Sequence, residues 1–173
     1  MAEFTVRGPF KVSVQKRPTG ARVLNVEGFW ESSKELPRLR NRFGVYVFAI
    51  KPPRTSVSWP YYVGQATKTF EREVFTDRNL LRYERALNGF KKGSGMVFLL
   101  EHPPTKCNHK HISEIEDYLI MMGFAVNEDI ENDRGAKLPD WVIRGIIRGK
   151  VRNPSHSARA LAKMFEIKGR QGV

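Results

Sequence analysis

Five polar side chains along the sequence are of types suited to breaking a phosphodiester bond: Tyr46, Tyr62, Arg72, Glu116 and Asn127. A carboxylate such as that of Glu116 can hold a hard divalent cation. The cation and a guanidinium can together stabilise the charge that gathers on a pentacoordinate phosphorus. A tyrosine can position or deprotonate the attacking water when a nearby metal or cation lowers its pKa. A single carboxylate stands out, which favours one metal over two. Each piece also has an ordinary explanation. Gly44-Val45-Tyr46 and Tyr62-Val63-Gly64 are short enough to be plain strand packing. Arg72 lies in a stretch rich in Glu and Arg, where i,i+4 pairing is common. Glu116 stands with Glu114 and Asp117 on what reads as a solvated helix face.

Positioning these residues requires two strands and two helices, and the pattern of apolar residues supplies candidates. Phe43 to Ile50 reads as a strand stopped by Lys51-Pro52-Pro53, and Trp59 to Gly64 as the next. Their Pro- and Ser-rich connection predicts an antiparallel hairpin with a long loop. Thr67 to Phe90 reads mostly as helix, with Phe70, Val74, Leu81 and Leu87 at loose helical spacing and a break near Thr76, where Asp77 can cap a restart. Met96 to Leu100 is a third strand. A helix beginning near Ser113 carries Ile112, Ile115, Leu119 and Met122 on one face, and Gly123 is expected to end it, leaving Phe124 to Asn127 extended. Ahead of this core, Phe10 to Val14 can be a short strand. Behind it, Asn132 to Pro139 reads as a linker. Asp140 can cap a helix carrying Trp141, Ile143, Ile146 and Ile147, and Ser155 or Ser157 can cap a last one. The expected organisation is an N-terminal extension over 1–41, an α+β core over 42–130 and a basic helical extension over 134–173.

Charge points to the partner. Lys and Arg number 30 against 18 Asp and Glu in 173 residues, a net +12. Such a field attracts polyanions, nucleic acid foremost. It is unevenly spread: residues 134–173 hold ten of the basic and two of the acidic residues, or +8. Arg144, Arg148, Lys150, Arg152, Arg159 and Lys163 are therefore the candidates for nucleic-acid contacts, although no base-reading module is recognisable there. A packing extension with a charged exterior is the plainer alternative. One cysteine, Cys107, excludes an intrachain disulfide and fits a reducing compartment. With no run approaching 18 apolar residues and no secretory leader pattern at the N-terminus, an intracellular, non-membrane protein is expected. Cys107, His109 and His111, with His102 nearby, invite a zinc reading, but alternate-position ligands rarely chelate and a polar loop explains them better. His156 has the same status. Phe29 and Trp30 can stack on a base, with core packing the stronger reading.

Taken in order, Gly44-Val45-Tyr46, Tyr62-Val63-Gly64, Phe70-Glu71-Arg72, Ile115-Glu116-Asp117-Tyr118-Leu119-Ile120 and Asn127 resemble the GIY-YIG nuclease family over roughly residues 42–128. Val45 and Val63 replace the isoleucines of the family motif, both conservatively. The resemblance implies a small three-stranded antiparallel sheet flanked by helices. It implies a divalent-metal-dependent endonuclease that hydrolyses phosphodiester bonds, with double-stranded DNA the expected substrate. Tyr46 matches the general base or water-positioning tyrosine, and Tyr62 the tyrosine beside the scissile phosphate. Arg72 matches the arginine that stabilises phosphate charge. Glu116 matches the ligand of a single Mg²⁺ or Mn²⁺, and Asn127 the asparagine that secures the site. The rival readings are a catalytically inactive nucleic-acid-binding module on the same scaffold and a basic protein that binds another protein.

Overall fold

A computed structural model describes residues 2–90, 92–104, 107–132, 143–144, 148–149, 153 and 155–164. The chain divides into two compact units, Met1–Gly135 and Ala136–Val173.

The first unit is built on β4 (Gly44–Lys51), β5 (Trp59–Ala66) and β6 (Ser94–Glu101), whose β-branched and aromatic residues favour extended backbone. β4 is central and pairs antiparallel with both β5 and β6. The sheet does not stop at three strands, as the resemblance had implied. β1 (Thr5–Lys11) pairs antiparallel with the far side of β6, giving four strands in the order β1-β6-β4-β5. A separate two-stranded sheet joins β2 (Ser13–Lys16) to β3 (Arg22–Asn25). Both corrections fall in the first 41 residues and share a physical reason. β1 is an edge strand, mostly exposed, interrupted by Gly8-Pro9, and so it lacks the buried alternation that marks a strand in sequence. The strand expected over Phe10 to Val14 is in fact the end of β1 and the start of β2, with the fully buried Val12 between them.

The two faces of the four-stranded sheet are covered differently. Tyr46, Phe48, Ile50, Val97 and Leu99 face one way, into a core shared with Leu36 and Leu39 of α1 (Leu36–Leu39), Phe70 of α2 (Phe70–Glu73), and Tyr83 and Leu87 of α3 (Asp77–Asn88). Phe29 and Trp30 join this core, each edge-on to Phe75. Val45 and Val63 face the other way, against Ile112 and Ile120 of α4 (His109–Val126) and Ile130.

The helix boundaries follow their caps. Thr69 and Thr76, in extended conformation, each accept the N–H three residues on, and so start α2 and α3 on either side of the break expected near Thr76. Thr76 is thus the cap in place of Asp77. Asn108 caps α4 through the N–H groups of Lys110 and His111, four residues before the expected start. Gly123 does not end α4: the helix runs on to Val126, and Gly123 is buried within it where an added Cβ would meet Ile130 at 2.7 Å, so the glycine serves packing rather than a cap.

In the second unit, Ile143–Arg144 (β7) and Arg148–Gly149 (β8) are short paired strands where a helix after Asp140 was expected. α5 (His156–Met164) follows, with the Ser155 hydroxyl accepting the N–H of Ala158. The extension is therefore helical only in its last described segment. Most of the expected linker from Asn132 lies outside the described residues.

Candidate functional site

The two tyrosines sit on one face of the β4–β5 hairpin because of its register. Tyr46 lies directly opposite Gly64, and Tyr62 opposite Phe48, so the tyrosines are diagonal neighbours with ring centroids 6.1 Å apart. Gly64 is what makes room. A Cβ there would come within 2.4 Å of both Cζ and the hydroxyl oxygen of Tyr46. Gly44 is also fixed by contact: its φ is 153°, and a Cβ would lie 1.9 Å from the carbonyl oxygen of Leu100. The glycines that flank the two motifs thus serve the packing that presents the tyrosines.

The environments of the two hydroxyls differ. Tyr46 is only 3% exposed. Its hydroxyl donates to the Glu73 carbonyl at 3.1 Å and accepts from Asn79 Nδ2 at 2.8 Å. Burial, and then the neighbouring Tyr62, push its pKa up, so the phenol holds its proton firmly. Tyr62 is half-buried. Its pKa is also raised, first by burial, but charges act on it from two directions: the Arg82 guanidinium lowers it and the Glu116 carboxylate raises it, with Arg78 lowering it further. Arg82 Nη1 donates to the Tyr62 hydroxyl at 3.3 Å, and its Cζ lies 5.1 Å from the ring centroid. Tyr83, fully buried and stacked on Phe48 at 4.2 Å, also lies beside Tyr62, with ring centroids 5.8 Å apart.

β5 is the edge strand, and a C-terminal segment closes that edge. The Glu131 N–H donates to the Tyr61 carbonyl at 2.7 Å. The Asn132 side-chain amide takes both backbone groups of Val63, accepting at 3.0 Å and donating at 2.6 Å, as a neighbouring strand would. Asn127, 3% exposed at the end of α4, donates through Nδ2 to the Pro60 carbonyl at 2.7 Å. An Arg85–Glu131 ion pair at 2.7 Å ties α3 to the same segment.

The structure therefore makes Tyr46 and Tyr62 neighbours, lets the charge of Glu116 on α4 act on Tyr62, and places Asn127 as a strut between α4 and β5. Arg72 is not joined to them by any contact formed among the described residues. It is exposed on α2, and its backbone N–H serves the Thr69 cap. The guanidinium that meets Tyr62 is that of Arg82, one turn beyond Arg78 on α3. Sequence reasoning missed Arg82, Asn79 and Asn132. Asn79 had a signal, as the polar member of the buried stripe Asn79, Tyr83, Ala86 and Leu87. Asn132 had none, because its role depends on a strand almost 70 residues away.

Of the basic candidates in the second unit, Arg159 is exposed on α5. Arg144 and Arg148 lie on β7 and β8, and Lys163 on α5, while Lys150 and Arg152 lie outside the described residues. His102 is buried, with Nδ1 at 2.8 Å from the Pro103 carbonyl and Nε2 accepting the Asn108 N–H at 3.3 Å. Among the described residues, no three His, Cys, Asp or Glu side chains converge as a metal site. One carboxylate remains compatible with Mg²⁺ or Mn²⁺, ions that keep several waters and take further oxygens from a substrate phosphate. Comparison of the chain with protein-family models, curated proteins and solved structures returned no match.

Proposed function

We propose that the chain is a metal-dependent endonuclease of the GIY-YIG type, acting on phosphodiester bonds in DNA. The observation that carries this reading is the half-buried Tyr62 hydroxyl, diagonal to Tyr46, hydrogen-bonded by the Arg82 guanidinium and acted on by the charge of the Glu116 carboxylate. A tyrosine, a cation and a metal-binding acid are groups that can support an in-line attack on phosphorus.

In this reading Glu116 would hold a single Mg²⁺ or Mn²⁺. Bound there, the cation would supply Lewis-acid stabilisation of the phosphate and a lowered pKa for water. Arg82 faces the phosphate from α3 and holds the Tyr62 phenol in place. The Tyr62 hydroxyl orients the attacking water or the scissile oxygen. Tyr46, through Asn79 and the Glu73 carbonyl, fixes the floor on which Tyr62 rests. Arg72, exposed on α2, is left to meet a flanking phosphate of the bound nucleic acid rather than Tyr62. Asn127 and Asn132 hold β5 in register. The net charge of +12 brings the polyanion to the surface.

The test is incubation of supercoiled plasmid and of a linear duplex with the chain and Mg²⁺ or Mn²⁺. Nicked or linear product is expected. Salt-sensitive binding with no product under either metal would instead favour the inactive binding module.

A further inference from the structure

The sheet face that carries Tyr46 continues beyond Gly44 into a pocket of about 740 Å³ lined by Glu3, Thr5, Arg7, Arg38, Arg42 and Glu101, among others. Register places it there. Leu99 is opposite both Tyr46 on β4 and Arg7 on β1, and Glu101, two residues on, shares its face.

At the centre, one carboxylate serves two arginines. Glu101 Oε2 accepts from Arg7 Nε at 3.3 Å, and Glu101 Oε1 accepts from Arg42 Nε at 3.0 Å. The three side chains are 14%, 29% and 31% exposed, so their charges interact through less water than on an open surface. One carboxylate between two guanidiniums leaves a positive charge uncompensated. Arg38 adds another, and Glu3 at the exposed end offsets one. Because Glu101 grips each guanidinium by its Nε side, the Nη edges stay available to a second oxyanion, the forked geometry that suits phosphate. Arg42 is held in place from behind, since its carbonyl accepts the N–H of Phe70 at 2.8 Å. The wall is firm too: the His102 ring packs between Phe4 and Phe43 with both nitrogens engaged.

We propose that Arg7, Arg38 and Arg42 form a phosphate-binding pocket that takes a backbone phosphate of a nucleic-acid strand. The exposed Thr5 hydroxyl supplies a further donor at its side. A nucleic-acid source is favoured over an acidic peptide because the whole chain carries +12 and two pre-set guanidinium forks match tetrahedral oxyanions. The pocket is independent of the cutting chemistry proposed above.

Binding of a duplex oligonucleotide is measured by fluorescence anisotropy in EDTA, over a range of salt, so that cleavage plays no part. Arg38→Ala and Arg42→Ala are each expected to weaken binding about tenfold. Each should also lower the slope of log affinity against log salt by about 1, as one lost phosphate contact does. Arg42→Lys keeps the charge but loses the fork, and should fall between. Arg38 has no partner among the described residues, so its variant keeps the wild-type melting temperature and separates binding from folding. Millimolar inorganic phosphate should compete with the oligonucleotide in the wild type and less so in Arg42→Ala. Unchanged affinity and salt slope in Arg38→Ala and Arg42→Ala would overturn the pocket. Polyglutamate displacing the duplex as well as unlabelled DNA does, or phosphate binding without any oligonucleotide binding, would overturn its nucleic-acid assignment. Loss of binding in these variants, alongside a wild type that cuts nothing, would retain the pocket and remove only the nuclease reading.

Discussion

At the residue scale, three neighbouring tyrosines carry hydroxyls with unlike surroundings. Tyr46 and Tyr83 are buried and keep their protons, and Tyr62 meets charge from both signs. The buried pair makes stability depend on alkaline pH. Their pKa values are raised on folding, so the folded protein holds these protons to higher pH than the unfolded chain does. The stability they contribute is whole below about pH 10 and is lost as pH rises beyond it. Tyr46→Phe removes one such group. Its stability curve is expected to diverge from that of the wild type above about pH 10 by up to about 1.4 kcal/mol per pH unit. Urea midpoints at pH 9, 10 and 11 check this, and parallel curves would contradict it. Gly64→Ala probes the same place sterically. The new Cβ overlaps the Tyr46 ring, at an expected cost of about 1–3 kcal/mol. In a Tyr46→Val background the same change should cost markedly less, a non-additivity that a double-mutant cycle reads directly. The letters of both motifs were visible in sequence. The reason for Gly64 was not, because it depends on which residue stands across the hairpin.

At the element scale, the strands and helices with continuous apolar patterns were legible. Phe43 to Ile50, Trp59 to Gly64 and Met96 to Leu100 became β4, β5 and β6 to within a few residues. The elements that escaped were those whose stability comes from partners rather than pattern. β1 is held by β6, and the buried glycine of α4 packs under Ile130 where a helix stop was expected. Arg72 was legible as a helix arginine, yet the helix that reaches Tyr62 is the following one, because Thr76 re-caps the chain and redirects it. The edge of β5 belongs to this class as well. Without the Asn132 amide, the Val63 N–H and carbonyl lose their partners in a buried setting. Asn132→Ala is expected to destabilise the chain by about 1–3 kcal/mol. Thermal denaturation should show a midpoint lower by several degrees, with greater aggregation from the opened strand edge. A midpoint equal to that of the wild type would show that the amide does not seal β5.

At the scale of the whole molecule, the described architecture is a four-stranded sheet with helices on both faces and a separate small sheet, followed by a second unit that carries much of the positive charge. Composition alone fixed the expectation of a polyanion partner, since +12 in 173 residues needs no fold to be read. How that charge is arranged did need one: Arg7 comes from one end of the first 42 residues and Arg38 and Arg42 from the other, and they line one pocket with Glu101. The central claim is that Glu116 supports metal-dependent cutting beside Tyr62. Its most direct test compares wild type and Glu116→Gln on plasmid DNA with Mg²⁺ or Mn²⁺, with binding measured in parallel. The wild type is expected to cleave in a way that stops on chelation, and the Glu116→Gln chain to bind DNA as well but cut at least about a hundredfold more slowly. Equal cleavage by the two proteins, or undiminished cleavage in EDTA, would contradict it.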